Sequence, residues 1–136
     1  MKYLKLFIVS ILLLLNINAL AQTKNTLIIE SHHPNDKNTI IKIWKTPKND
    51  YIIRTSFSKE TDDFDQEKLY QSQKKVEYDG FSKRVIFKAS NNSYYVIALV
   101  NGEYALVFGF YSEALKNVVS VSYIVDYIDK KAFNEL

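Results

Sequence analysis

The sequence has no cysteine, and its glycine, proline and histidine are scarce: three, two and two residues. Without cysteine there is no disulfide, no thiol nucleophile and no thioether-linked lipid. With so little glycine and proline, the chain is neither a linker nor a low-complexity tail. No Gly-rich phosphate loop occurs, and no serine lies in a Gly-x-Ser-x-Gly turn. The two histidines are adjacent, His32 and His33. On an extended backbone they point to opposite sides, which is poor material for a shared metal or a Ser-His-Asp triad.

Long apolar runs are also missing after the first residues. Lys2 and Lys5 precede an apolar stretch from Leu6 to Leu15, broken only by Ser10, and Ala19-Leu20-Ala21 follows as a small-x-small site. This is the anatomy of a cleaved secretory signal peptide over residues 1–21, too short to span a bilayer and interrupted by Asn16 and Asn18. The expected protein is therefore exported, periplasmic or secreted, with no stable membrane span after cleavage. The leader carries two lysines and no acid, so the formal charge of +3 falls to +1 on its removal. A nearly neutral exported chain does not suit nucleic acid. Residues 22–136 are enough for one domain and not for two.

Aromatics are abundant, with ten Tyr, eight Phe and Trp44. The run Tyr94–Val100, then Asn101-Gly102, then Glu103–Tyr111 carries the strongest hairpin signal in the chain, because a type I′ turn requires positive φ at both central residues. The two-residue loop predicts Val100 opposite Glu103, Leu99 opposite Tyr104, Ile97 opposite Leu106 and Tyr95 opposite Phe108. Tyr95, Ile97, Leu99, Tyr104, Leu106 and Phe108 then share one face. Tyr94, Val96, Ala98, Val100, Ala105 and Val107 share the other, with the Tyr94 ring over Gly109. Both faces are apolar, so a central hairpin covered on both sides is expected.

The remaining segments read as strands with short turns. Thr26–Glu30 and Thr39–Lys45 are separated by a polar loop at 31–38. Tyr51–Phe57 alternates, with Tyr51, Ile53, Thr55 and Phe57 on one face. The acidic stretch Thr61–Glu67, closed by Lys74-Lys75, predicts a short surface helix, with Asp63 and Gln66 as a capping box. The rival there is a strand from Leu69 to Tyr78. Asp79-Gly80 marks a hairpin into Arg84–Ala89. A four-residue loop, Ser90–Ser93, would pair Ala89 with Tyr94. Val85 and Phe87 would then join the face of Val96, Ala98 and Val107, leaving Arg84 and Lys88 beside Tyr95 and Leu99. Val118–Ile128 reads as a long strand with Val119, Val121, Tyr123, Val125 and Tyr127 on one face. Asp129–Leu136 is a helical turn or a frayed end. The fold class expected is mainly β: a single antiparallel meander-type sheet or sandwich, or a small barrel, with one short helix. A curved antiparallel sheet with a helix packed across it, an α+β arrangement, is the alternative.

Candidate chemistry is sparse. The acids at 62, 63, 65 and 67 fail the EF-hand spacing, which demands Gly at the sixth position. A catalytic carboxylate pair would have to come from Glu30, Glu77, Glu103 and Asp126. Lys83, Arg84 and Lys88 with Phe81 and Phe87 make a basic aromatic patch. No cofactor or metal is implied and no catalytic constellation is present. The expectation is an exported β-rich binding domain whose partner is a protein or glycan of the cell envelope. The residues expected to bind are Tyr95, Leu99, Tyr104, Phe108, Arg84 and Lys88. One alternative is a carrier of a small apolar ligand lined by the Tyr95–Phe108 face; the other is a small carboxylate-based hydrolase or lyase.

Overall fold

The computed structural model describes residues 24–56 and 64–136. The expected leader and the acids at 62 and 63 fall outside them. Among the described residues nine strands run in chain order: β1 Thr26–His33, β2 Asp36–Lys45, β3 Tyr51–Ser56, β4 Phe64–Leu69, β5 Lys74–Asp79, β6 Ser82–Lys88, β7 Tyr94–Val100, β8 Glu103–Ser112 and β9 Asn117–Ile128. A 3-10 turn at Gln71–Gln73 joins β4 to β5, and a helix, α1, spans Lys130–Asn134. All pairings are antiparallel, in one curled half-barrel sheet of order β4-β3-β2-β1-β9-β8-β7-β6-β5. The chain is thus a meander whose first and last strands pair with each other, leaving β4 and β5 as the two edges.

Curling follows from the alternation of side chains. The inner face collects Ile29, Ile41, Ile43, Tyr51, Ile53, Leu69, Val85, Phe87, Ile97 and Leu106, all almost fully buried. A flat sheet would leave this face in water. Wrapping it on itself removes it, at roughly 25 cal/mol per Å² of apolar surface. The β7–β8 hairpin has the expected register throughout, from Val100 opposite Glu103 to Tyr94 opposite Gly109. Asn101 and Gly102 take φ of 51° and 81°, as a type I′ turn demands.

Four local expectations are corrected. First, β6 pairs with β7 one residue away from the expected register: Lys88, not Ala89, faces Tyr94. The connection has five residues, with Asn92 at φ 62° and the Ala89 amide donating to Ser93 O at 2.8 Å. A one-residue slip exchanges the faces of a strand. Val85 and Phe87 therefore face inward beside Ile97 and Tyr95, and Arg84 and Lys88 face outward. Second, residues 64–69 form a strand, not a helix. They pair antiparallel with β3, with Asp65 opposite Thr55, Glu67 opposite Ile53 and Leu69 opposite Tyr51. Leu69 enters the core and the Arg54 guanidinium lies 3.5 Å from the centre of the Phe64 ring. Third, the loop expected at 31–38 shrinks to Pro34-Asn35, because His33 pairs with Asp36. The Asp36 carboxylate accepts from the Asn38 amide and the Thr39 hydroxyl, which lets β2 begin early and holds that carboxyl below its usual pKa. Fourth, the β9 register shifts at Asp126, so Tyr127 is 46% exposed and Ile128 turns inward opposite Ile29.

The second layer expected over the β7–β8 hairpin is not formed by the described residues. Val96 and Val107 stay half-buried on the outer face, and Tyr94 covers Gly109. A Cβ at position 109 would lie 2.7 Å from the Tyr94 Cζ. Gly109→Ala is expected to destabilise by about 1 kcal/mol, because the ring must leave its place on the sheet. In a Tyr94→Ala background the same change should be neutral or stabilising, because alanine suits a strand better than glycine. A denaturant double-mutant cycle checks this, and equal costs in both backgrounds would refute the contact.

Candidate functional site

The two ends of the half-barrel differ. One is filled by α1. Asp129 caps this helix through its carboxylate, 3.0 Å from the Ala132 amide, and Phe133 enters the core edge-on to Tyr104, with ring centres 5.3 Å apart. Lys83 Nζ donates to Phe133 O at 2.9 Å, and Lys74 Nζ to Leu136 O at 2.8 Å. Burial lowers the pKa of both lysines from the ordinary value, since desolvation penalises an ammonium.

The other end is open. It holds a cavity of about 490 Å³, within the range of small-molecule sites. Its floor is Ile41 and Ile53 with the rings of Tyr95, Phe108 and Tyr123. The register explains the grouping: Tyr95 sits opposite Phe108 across β7 and β8, with ring centres 5.1 Å apart, and Tyr123 comes from β9, edge-on to His33. The rim is polar: Thr55, Asp65, Gln66, Glu67, Ser90 and Asn91. Glu67 ties β4 to the β6–β7 connection, accepting from the Ser90 amide at 2.9 Å and its hydroxyl at 2.7 Å through one carboxylate oxygen. Burial raises the Tyr95 pKa above its ordinary value, and the nearby charges of Glu67 and Asp65 add to this against a hydrogen bond from Thr55. Burial likewise raises Tyr123. Among the described residues, the charged side chains lining the cavity are the carboxylates Asp65 and Glu67, with no lysine or arginine beside them.

Of the residues expected to bind, Tyr95 and Phe108 line this cavity. Leu99 and Tyr104 share their face but pack at the α1 end. Arg84 and Lys88 lie on the outer face, opposite Ala98 and Tyr94, so the basic pair and the aromatic pair are not one site. The basic aromatic patch is divided the same way: Phe87 is inside, Arg84 and Lys88 are outside, and Phe81 stands 97% exposed at the β5–β6 turn. None of Glu30, Glu77, Glu103 and Asp126 lines the cavity. Three are engaged on the surface, Glu30 with Lys42, Glu77 with Lys75, and Asp126 with His32 at 2.7 Å. Among the described residues no group of three or more His, Asp and Glu side chains is placed to hold a metal ion, and no helix is long and apolar enough to cross a membrane. Sequence reasoning missed Asp65 and Glu67, assigned to a helix turn, and Tyr123, whose strand was read without its neighbours. The alternation Asp65-Glu67-Leu69 was the signal that they continue the inner face of a strand. No protein-family model, no curated protein and no solved structure matches this chain.

Proposed function

We propose that this chain is an exported binding protein that holds a small molecule in the open end of its half-barrel. The observation that carries the reading is the cavity of about 490 Å³ with an aromatic floor and a carboxylate rim. The apolar floor supplies affinity by burial, and the few convergent polar groups fix orientation. With Asp65 and Glu67 as the charged lining, the favoured ligand has an aromatic or aliphatic body and a basic or hydrogen-bond-donating head. A cationic head is held by the carboxylates and by ring faces, each cation–ring contact contributing about 0.5–2 kcal/mol. A carboxylate head would be repelled. The signal-peptide anatomy of residues 1–21 supports binding outside the cytoplasm. A protein or glycan partner in the envelope is then a recipient or source of the ligand.

The test is a calorimetric titration with a phenylalkylamine and with the phenylalkyl carboxylate of equal length, at low salt. The amine is expected to bind at least tenfold more tightly, and Thr55→Trp, which fills the mouth, to abolish the heat. Equal weak heats for both compounds, unchanged by Thr55→Trp, would overturn the reading.

A further inference from the structure

Among the described residues the sheet has two unpaired edges, β4 and β5, and their charges differ in what they permit. The two-residue loop Gly80-Phe81 joins Asp79 to Ser82, and such a loop closes on a hydrogen-bonded pair. The alternation of an antiparallel ladder then sets Asp79, Glu77 and Lys75 with their backbone groups toward β6. Tyr78, Val76 and Lys74 turn theirs to the free edge. The Lys74 amide agrees with this, because it leaves β6 and donates to Gln71 O. Among the described residues, Val76 and Tyr78 are thus left with free outward amides, and Lys74, Val76 and Tyr78 with free outward carbonyls.

We propose that β5 pairs antiparallel with β5 of a second copy of this chain, across a two-fold axis at Val76. A two-fold axis normal to the sheet keeps the inner faces on one side, so inward residues meet inward residues. Centring on Val76 places Lys75 opposite Glu77 of the other copy, twice, with Val76 against Val76 and Lys74 against Tyr78. Centring on Lys75, Glu77 or Tyr78 instead opposes Lys75 to Lys75, Glu77 to Glu77, or Glu77 to Asp79. Like charges directly opposite on a sheet destabilise it. One register is therefore selected, and in it the axis passes through a hydrogen-bonded pair. Two Val76 amides and two Tyr78 amides find carbonyl partners across the axis. The side chains are available for this: Lys75 is 73% exposed and Glu77 36%, and Tyr78 is 75% exposed. The other edge excludes the same arrangement. On β4, two-fold registers centred on Gln66 or Glu67 oppose Asp65 to Glu67 or Glu67 to Glu67, so β4 is guarded against its own copy.

The test is light scattering after size exclusion, over a concentration series of the mature protein. The wild type is expected to dimerise, and Glu77→Lys to weaken dimerisation about tenfold by opposing two like pairs. The swap Lys75→Glu/Glu77→Lys restores opposite charges and is expected to restore the dimer. Val76→Pro removes an amide that faces outward, so the monomer should keep its β circular dichroism while dimerisation is lost. A wild type that stays monomeric at every concentration would overturn the proposal, as would a dimer indifferent to both Glu77→Lys and Val76→Pro.

Discussion

Phe133→Ala is expected to lower the unfolding free energy by about 3–5 kcal/mol, the cost of deleting a fully buried ring whose site cannot collapse. Phe133 is 0% exposed and belongs to a helix of five residues. A helix that short has no stability of its own in water. It exists because Phe133 is anchored against Tyr104 and because the Asp129 cap, Lys83 and Lys74 satisfy its ends. Removing the ring opens the closed end of the half-barrel and leaves two partly desolvated lysines without their carbonyl acceptors. Domains of this size have about 5–15 kcal/mol in total, so the loss is a large share. Urea unfolding should show a much lower midpoint with an unchanged slope. A cost under about 1 kcal/mol would mean that α1 is a peripheral tail.

Phe87→Ala is expected to cost about 3–5 kcal/mol as well, and its value lies in what it says about register. Phe87 of β6 meets Tyr51 of β3 edge-on, with ring centres 4.9 Å apart. One ring comes from the N-terminal four strands and the other from the C-terminal five, so the pair joins the two halves across the interior. Its aromatic geometry contributes about 0.5–1.5 kcal/mol beyond area. A cycle with Tyr51→Leu should show coupling of that size. Tyr51 also accepts from Gln71 Nε2 at 3.0 Å, so Tyr51→Phe is the control that leaves the rings in place. Were β6 shifted by one residue, Phe87 would stand on the outer face, and its truncation would cost under about 1 kcal/mol. The measured cost therefore decides between the two registers.

How much could be read beforehand follows from where the determinants lie. The β7–β8 hairpin was legible to the residue, because Asn101-Gly102 dictates both turn type and pairing within adjacent sequence. The antiparallel, mainly β class was legible for the same reason, since short turns recur along the chain. The β6–β7 register was not. It depends on Asn92 adopting a left-handed conformation inside a five-residue connection, a choice made by burying Val85, Phe87 and Ser93. The strand at 64–69 was misread because an edge strand carries only one buried apolar residue, Leu69, so its alternation is written in acids. The pairing of β1 with β9 joins residues about a hundred positions apart, and no local pattern announces it. The candidate site shares that fate: two of the three floor rings, Tyr95 and Phe108, were visible in the hairpin. Its third ring, Tyr123, and its carboxylate rim arrive only through the long-range closure.

Native mass spectrometry of the protein, isolated gently from its own host, tests the proposed ligand-holding cup most directly. The expected result is a species heavier than the bare chain by a small molecule per copy, the added mass lost on denaturation and absent from Thr55→Trp. Bare-chain mass for the wild type, or an added mass equally present on Thr55→Trp, would contradict the account.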